Sequence, residues 1–517
     1  MKNKIVTNIL IFILLFIVIF AIYGKLLKAP LLYDDDQLII QNPLVKSLNN
    51  IPLFFKTDLF AHRAGERKSN SYRPMQSLLN AWDYLCWGKY PVGYHLTNIL
   101  LHLINVFIVF LFVRRISEDS LASFLTAFIY AVHPVNTQSV SYVAGRADIL
   151  MTAFMVLSLI SYIKYKKDNN IILLALSLFL FFLSLLSREA GLVVLPILII
   201  CYLFYFKPSR VFPTKDIASY IGVGLIYLLM RSYALPGETA RVGLEHIPLH
   251  QRLAVSIKCL FISLRILFFP HDIHFSRSVK IDASILSPLP LFSLIALVCA
   301  VLIIRRLYKK GLAEGHKKEL LFSFGLLWYF VSMVPYLNIV PLQCFVSDNW
   351  LYQSSIGIFF CLSLSAAAVF RRFKMKRQRW GSILILLAYI WLIVTYSGIT
   401  YKRNDDYSDP IKLYRKNLSY ESNVKFYYML GTEYGTKEEY RLAIDAFEKA
   451  IETHKTKPNL FVFNARYNLG VTYYKLGQRE KALEQLRYLL DLKDVPEDVK
   501  IKWRKKATET IQELTGK

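Results

Sequence analysis

The feature that most constrains the fold of this chain is a series of eleven apolar runs, each about as long as a bilayer crossing. A transmembrane helix needs about 20 consecutive, mainly apolar residues. The runs lie at about 5–23, 94–113, 121–138, 149–163, 171–186, 190–206, 217–234, 288–304, 319–336, 351–370 and 381–398. Because 55% of the residues are hydrophobic, a soluble domain of this composition would aggregate. The sequence therefore predicts an all-α fold, a polytopic membrane helix bundle.

The net charge of +26 predicts topology rather than a nucleic-acid partner. Lysines and arginines gather in short clusters between the apolar runs, for example at 207–215, 305–318 and 371–379. Loops rich in Lys and Arg stay on the cytoplasmic side of a membrane. We therefore expect a multi-pass protein of the inner (cytoplasmic) membrane with a cytoplasmic N-terminus, and no nucleic acid as a partner.

One further segment, 251–270, would upset this alternation if it crossed the membrane. It carries Gln251, Lys258 and Arg265 at intervals of seven, which places them on one helical face. We interpret it as an interfacial or re-entrant amphipathic helix. This interpretation leaves about eleven spans and an external C-terminus, with twelve spans as the alternative.

The chain changes character after residue 400, where charged residues become frequent. Two segments there carry the small and large residues of a tetratricopeptide repeat (TPR). The matching positions are Tyr427, Leu430, Gly431, Tyr434, Ala443, Phe447 and Ala450 in the first copy, and Leu469, Gly470, Tyr473, Ala482 and Leu486 in the second. We predict a membrane domain at 1–400 with a first external loop at 24–93. A small extracytoplasmic α-solenoid follows at 410–517, with repeats at about 424–457 and 463–493 and a capping helix at 497–515.

Three consecutive aspartates, Asp34, Asp35 and Asp36, stand about ten residues after the first apolar run. Carboxylates beside a bilayer are costly to desolvate, so such a cluster more often indicates a functional site than a segment without a specific role. A carboxylate there can act as the general base for a hydroxyl acceptor. The alternative is that the cluster caps the start of a helix and stays solvated.

Other polar residues fall at the external ends of the predicted spans. They are Arg73, His95, Asn98, His102, His133, Arg146, Asp148, Arg188 and Glu189. Arginines at this level can hold a phosphate leaving group, and an apolar bundle can solvate a polyprenyl tail. The alternatives are interhelical hydrogen bonds for the histidines and Asn98, and structural ion pairs for the arginines. No zinc-ligand spacing supports a metal, so no cofactor is assigned, although a divalent cation is compatible with the carboxylates.

Several of these motifs recur together in one family. They are Tyr33-Asp34-Asp35-Asp36, Tyr72-Arg73-Pro74, Gly93-Tyr94-His95-Leu96-Thr97-Asn98, Ala131-Val132-His133-Pro134-Val135, Gly145-Arg146-Ala147-Asp148 and Leu186-Ser187-Arg188-Glu189. In this order, and with terminal repeats, the chain resembles the transmembrane and tetratricopeptide-repeat O-mannosyltransferases (the TMTC family) of the GT-C superfamily.

The resemblance implies an integral-membrane glycosyltransferase that uses a polyprenyl-phosphate monosaccharide, mannose in the animal members. Its partners would be that lipid-linked sugar, the surrounding membrane lipid and an acceptor protein or glycan, which the repeats could help to bind. In GT-C enzymes an acidic residue of the first external loop is catalytic, and the family's acidic pair maps onto Asp34 and Asp35. The nine other polar residues would bind the donor phosphate or the substrate.

Some positions depart from the family pattern. Asn136 and Gln138 stand where the family usually has His and Glu, Arg188 replaces a lysine, and Asp348-Asn349 replaces Glu-Arg. Two repeats instead of many favour a bacterial protein.

Two other functions fit many of the same parts. One is a non-catalytic membrane-anchored TPR scaffold for envelope assembly. The other is an oligosaccharide polymerase or ligase that uses a diphosphate-linked donor.

Overall fold

The structure is a computed structural model that describes residues 2–61, 70–205, 213–235, 247–342 (except 276, 278 and 283), 344–453, 460–492 and 497–515. Positions 207–212 of the predicted basic cluster at 207–215 lie outside these residues. Within them the secondary structure is helical, apart from one isolated β-bridge between Arg277 and Val346. The chain forms two compact units that divide between Asn404 and Asp405.

The first unit contains fifteen α-helices among the described residues. They are α1 (Lys2–Tyr23), α2 (Ile51–Phe54), α3 (Pro74–Trp87), α4 (Pro91–Ser117), α5 (Ser120–Val132), α6 (Thr137–Ser141), α7 (Arg146–Asp168), α8 (Ile171–Ser187), α9 (Val194–Tyr205), α10 (Thr214–Ala234), α11 (Leu249–Phe268), α12 (Pro288–Ala313), α13 (Lys317–Met333), α14 (Leu351–Met375) and α15 (Arg379–Arg403).

Eight of these helices are long and apolar enough to cross a membrane: α1, α4, α7, α10, α12, α13, α14 and α15. Three further runs coincide with shorter apolar helices, α5, α8 and the segment that contains α9. The predicted all-α membrane bundle is confirmed, whereas the count of about eleven spans stays a prediction. Apolar side chains of α1 and α15, such as Leu10 and Trp391, are exposed on the surface of the unit, where lipid would cover them.

Close helix contacts in the bundle depend on small residues. A Cβ added at Gly357 of α14 would overlap the backbone of Gly325 in α13, so both glycines let the two helices approach closely. Between α7 and α8, the Ser158 hydroxyl donates to the Ser177 carbonyl at 2.8 Å. Such contacts hold helices together where lipid tails supply no hydrophobic driving force.

The predicted amphipathic segment forms α11, which lies outside the set of membrane-length apolar helices. Two of its basic residues form ion pairs within the protein. Lys258 is buried and its Nζ lies 2.5 Å from a carboxylate oxygen of Asp282, while Arg265 pairs with Asp272 at 2.6 Å. Lys258 and Arg265 therefore form ion pairs with the loop that follows the helix.

The segment between two of the predicted apolar runs, 139–148, is not an exposed loop. It consists of α6, a 3-10 turn at Val143–Gly145 and the first turn of α7, and most of its side chains are buried. The close approach requires Gly145, since a Cβ there would come within 2.7 Å of the carbonyl oxygens of Gln138 and Ser139. The segment is therefore part of the core.

The second unit contains six α-helices among its described residues. They are α16 (Pro410–Leu418), α17 (Val424–Thr436), α18 (Tyr440–Thr453), α19 (Leu460–Lys475), α20 (Arg479–Tyr488) and α21 (Glu497–Thr515). Successive helices pack as antiparallel pairs. Gly431 lies against the Phe447 ring, where a side chain would overlap it, and Trp503 of α21 is buried against Phe463. The domain boundaries expected from the sequence, and the side of the membrane that carries this unit, stay predictions.

Candidate functional site

The three aspartates lie in a tight turn that the rest of the unit holds from several sides. The Asp35 backbone N–H donates to the Leu32 carbonyl at 2.9 Å, which places Tyr33 and Asp34 at the centre of a four-residue turn. A short π-helix, Asp36–Ile40, follows it directly. Single π-turns are rare in proteins overall, and those that occur are often at functional sites.

Asp35 is the anchor of this turn. Its side chain is fully buried, and its carboxylate oxygens accept backbone N–H groups from Leu32 at 3.1 Å, Val143 at 3.3 Å and Ala144 at 2.8 Å. Burial raises the pKa of Asp35 from its ordinary value of 3.8 to about 7, and the hydrogen bonds from Leu32 and Ala144 and the charge of Arg146 oppose that rise. Its acceptor capacity is used within the protein.

Asp34 and Asp36 differ from Asp35 because both are partly exposed. Asp36 accepts a hydrogen bond from the Gln41 side chain. The Asp34 backbone carbonyl accepts the Leu38 N–H at 2.9 Å, and the Asp34 backbone N–H donates to the Tyr142 hydroxyl. Of the two predicted catalytic residues, Asp34 is thus the one that solvent can reach.

Arg146 is the centre of a buried polar network. Its Nε donates to Asn98 Oδ1 at 3.1 Å, Nη1 to Asp83 Oδ2 at 2.7 Å and to Asn80 Oδ1 at 3.0 Å, and Nη2 to the Tyr94 carbonyl at 3.1 Å. The side chain of Arg146 is fully buried. Four of its five N–H groups are therefore used to join α3, α4 and α7, which leaves little capacity for the phosphate expected there.

The predicted histidines and Asn98 are also buried and bonded to the protein. Asn98 Nδ2 donates to the Val140 carbonyl at 3.2 Å. His102 lies 2.9 Å from the Tyr352 hydroxyl and 3.2 Å from the Ala131 carbonyl, and His133 Nε2 lies 3.0 Å from the Leu267 carbonyl. This geometry matches the interhelical hydrogen-bond alternative.

His95 belongs to the same buried group. Its Nε2 lies 3.3 Å from the carbonyl of Pro30, so it ties α4 to the segment that leads into the aspartate turn. This contact supports the turn and provides no direct link to a ligand.

Asp148, Arg188 and Asn349 form a second polar group. Arg188 donates to Asp148 Oδ1, and Asn349 Nδ2 donates to Asp148 Oδ2 at 2.8 Å. The Arg188 guanidinium also lies 5.8 Å from the centre of the Tyr336 ring. The structural ion pair of the alternative interpretation thus joins Asp148 to Arg188. The pairs expected from neighbours in the sequence were Arg146 with Asp148 and Arg188 with Glu189.

Arg73 and Glu189 complete this second group. Both are partly exposed, and the cations whose charges act on Glu189 are Arg73, Arg188 and Arg231. The Arg73 Nε is buried without a hydrogen-bond partner among the residues that the structure describes. An arginine with an unused N–H beside a second arginine can receive an anion.

The Asp34 turn and Arg73 are linked through a short path. Ala144, whose N–H holds Asp35, accepts a hydrogen bond from Gln76 Nε2 at 3.1 Å through its carbonyl. Gln76 lies in the first turn of α3, and that helix begins directly after Arg73. The exposed carboxylate and the incompletely bonded arginine therefore lie at the same end of the bundle.

Sequence reasoning missed a third polar group. Arg403 Nη2 lies 3.1 Å from Asp348 Oδ2, and Arg277 lies 3.9 Å from Asp348 Oδ1 and 3.0 Å from Asp272. All but Asp272 are buried. Asp348 could have been found as part of the late motif, but no local pattern distinguishes Arg277 or Arg403 from other basic residues near helix ends.

The described residues do not form a ready cation site. No group of three His, Cys, Asp or Glu side chains among them converges as metal ligands. Both oxygens of Asp35 accept backbone N–H groups, so this carboxylate is not available as a ligand.

Two family models match parts of the chain. The model described as dolichyl-phosphate-mannose-protein mannosyltransferase matches residues 78–235, and the tetratricopeptide repeat model matches residues 424–453 and 463–494. The predicted repeats are thereby confirmed.

Curated relatives extend the likeness to most of the chain. The protein O-mannosyl-transferase F38B6.6 of Caenorhabditis elegans is 25% identical over 84% of this chain and 61% of its own length. Human TMTC3 is 24% identical over 90% of this chain and 53% of its own length, and human TMTC4 is 32% identical over 34% and 26%. The chain thus spans about half to three-fifths of the length of the first two of these relatives.

A solved structure, ArnT from Cupriavidus metallidurans bound to undecaprenyl phosphate, aligns with 98% of this chain and 85% of that chain. The TM-score is 0.40 and the sequence identity is 11%. A likeness at that level supports no argument about the site.

Proposed function

We propose that this chain, which is similar to protein O-mannosyl-transferases over most of its length, is an integral-membrane glycosyltransferase of the GT-C type. It would move a monosaccharide from a polyprenyl-phosphate donor to a hydroxyl of a protein or an envelope glycan on the extracytoplasmic face. The names of the relatives and of the matching family model support mannose and a lipid-phosphate donor. The observation that carries the proposal is the partly exposed Asp34 on a turn that buried Asp35 holds in place.

Asp34 is the proposed general base. It takes the proton of the acceptor hydroxyl while the acceptor oxygen attacks the anomeric carbon of the sugar. The bond between that carbon and the phosphate oxygen breaks, and the polyprenyl phosphate leaves with the electron pair. Attack opposite the leaving group inverts the anomeric configuration.

Arg73 and Arg188 are the proposed phosphate ligands. Arg73 has an Nε–H without a partner among the described residues. The charges of Arg73 and Arg188 both act on the Glu189 carboxylate. Hydrogen bonds between a guanidinium and a phosphate are about twice as strong as neutral ones, and they strengthen as charge develops on the leaving group. Arg146 is instead assigned a positioning role, because its donors already bind protein acceptors.

The C-terminal unit offers a place for an acceptor chain. A cavity of about 350 Å³ lies between α16, α17 and α18, and its lining includes Arg415, Tyr427 and Tyr434 together with the ion pair of Lys449 and Asp445. Aromatic and charged side chains in such a groove suit a polar polypeptide segment. We assign acceptor contact to this groove.

The test compares the wild type with Asp34→Asn, using Asp36→Asn as the matched control in the same triplet. Each purified protein is incubated in nanodiscs with a panel of radiolabelled polyprenyl-phosphate sugars and a peptide acceptor, and the sugar released from lipid is counted. Loss of a general base costs about 10²- to 10⁴-fold in rate. We expect that loss for Asp34→Asn, nearly full activity for Asp36→Asn, and unchanged monodispersity.

Equal release by Asp34→Asn and the wild type would refute the assignment of the base. If the wild type releases no sugar from any polyprenyl-phosphate donor but does so from a diphosphate-linked oligosaccharide, the chain is a polymerase or ligase. Release from neither class would favour the scaffold.

A further inference from the structure

The residue directly before Asp34 has a backbone conformation that its side chain disfavours. Tyr33 has φ +59°, in the left-handed region, and it is the only aromatic residue with positive φ among those that the structure describes. The other non-glycine residues with positive φ are Asn, Glu and Arg, and several of them end helices, as Glu118 and Asn169 do. A bulky side chain keeps this conformation only where its surroundings enforce it.

The surroundings of Tyr33 are aromatic. Its ring centre lies 4.9 Å from that of Phe275 and 6.0 Å from that of Tyr142, and the latter two rings are 5.3 Å apart. Phe275 and Tyr142 are almost completely buried. The Tyr33 ring is therefore one member of a three-ring cluster, and the tilted and edge-on arrangements are favourable for aromatic pairs.

Hydrogen bonds fix the backbone at Phe275 and the hydroxyl of Tyr142. The Phe275 carbonyl accepts Gln138 Nε2 and the Ser347 hydroxyl, each at 3.1 Å. Tyr142 precedes the two residues whose N–H groups hold Asp35, and its hydroxyl accepts the Asp34 backbone N–H. Tyr33, a member of this cluster, and the anchored Asp35 therefore stand on either side of Asp34 in the sequence.

We propose that Tyr33 is a positioning residue for the Asp34 carboxylate, and that both its left-handed backbone and its ring are needed. This inference rests on the proposed function. The Asp35 carboxylate, which accepts the Val143 and Ala144 N–H groups, holds the C-terminal half of the turn to the rest of the unit. The Tyr33 ring, packed against Phe275 and Tyr142, holds the N-terminal half. A base that is displaced by about 1 Å can lose about 100-fold in rate.

The experiment uses three variants of the full chain that separate the ring from the backbone. Tyr33→Phe keeps the ring and removes the hydroxyl. Tyr33→Gly accepts a positive φ without a ring, whereas Tyr33→Ala lacks the ring and disfavours that φ. We measure kcat and the donor KM in nanodiscs for each variant, together with the apparent melting temperature.

We expect Tyr33→Phe to retain kcat within about threefold of the wild type. Tyr33→Gly should lose about 10- to 100-fold in kcat with little change in donor KM, because the base is misplaced while the donor still binds. Tyr33→Ala should lose at least as much and melt at a lower temperature than Tyr33→Gly.

An active Tyr33→Gly with wild-type kcat would overturn the inference, since it would show that the ring is dispensable. A rise in KM alone would also overturn it, because that pattern indicates lost donor binding instead of a misplaced base. These outcomes differ from failure of the proposed function, in which the wild type itself would release no sugar.

Discussion

Two arginines at the same end of the bundle have opposite surroundings. Arg146 is fully buried and donates to Asn80, Asp83, Asn98 and the Tyr94 carbonyl. Arg73 is partly exposed and has a buried Nε without a partner among the described residues. A satisfied guanidinium stabilises the fold, whereas one with unused N–H groups can bind an anion. The same residue type therefore supports two different roles.

The largest effect is expected on stability, from a substitution of Arg146, whose hydrogen-bond network is almost complete. Arg146→Met leaves Asp83 buried without the guanidinium that lies 2.7 Å from it. Breaking a buried ion pair on one side costs about 3–5 kcal/mol in stability. We expect a strongly lowered apparent Tm in detergent, together with poor yield.

The matched control is the double variant Arg146→Met/Asp83→Leu, which removes both charges. Because replacing a whole buried pair by apolar residues is often nearly neutral, it should recover part of the lost Tm. A wild-type Tm for Arg146→Met would show that Arg146 does not act as a structural centre, and would remove the contrast with Arg73.

A smaller effect, on kinetics alone, is expected at Arg73. Arg73→Gln removes one charged donor, whose hydrogen bonds are worth about 1.5–3 kcal/mol, so kcat/KM for the lipid donor should fall about 10- to 100-fold. Stability should change by less than about 0.5 kcal/mol, as for surface substitutions. Steady-state kinetics and thermal unfolding of the same preparation measure the two effects.

Arg73→Lys is the conservative partner variant, and it should recover part of the activity because it restores the charge but not the planar fork. If Arg73→Gln instead destabilises the protein as much as Arg146→Met does, the two arginines would share one structural role.

The smallest effect concerns Asp35 and its pH dependence. Burial raises the pKa of Asp35 from 3.8 to about 7, so the folded protein holds this proton over a pH range in which the unfolded chain has lost it. The stability that Asp35 contributes is therefore present below about pH 4 and is lost as the pH rises through about 7. The apparent Tm of wild type minus that of Asp35→Asn should be larger at pH 5 than at pH 8.

Asp35→Asn cannot ionise, so the difference between the two proteins cancels the titration of other groups. A Tm difference that is constant from pH 5 to pH 8, or one that grows, would contradict a raised pKa. It would indicate that the three N–H donors outweigh burial and keep the carboxylate ionised.

Much of the fold could be predicted from the sequence. The apolar runs, the two repeats and the separate treatment of 251–270 correspond to helices of the structure, including the TPR model matches at 424–453 and 463–494. The buried state of 139–148 could not be predicted, because it results from Gly145 letting α6 and α7 approach across a turn. Local composition says nothing of such an approach.

The candidate site was predictable only as a set of residues. Motif order brought Asp34, Asp35, Arg73, Arg146 and Arg188 together, but it treated the two aspartates alike and the three arginines alike. Arg277 and Arg403 were missed because their partner, Asp348, comes from a distant part of the chain.

The sequence by itself determined that this chain is a helical membrane bundle followed by repeats. A backbone in lipid must satisfy its own hydrogen bonds, so long apolar runs have to form helices. Only the tertiary structure decided which polar side chains are used up within the protein. The acceptor for Arg146 lies 63 residues away at Asp83, and the donors for Asp35 lie more than a hundred residues away at Val143 and Ala144. Whether a charged group can still bind a ligand depends on such partners, and helix packing brings them together.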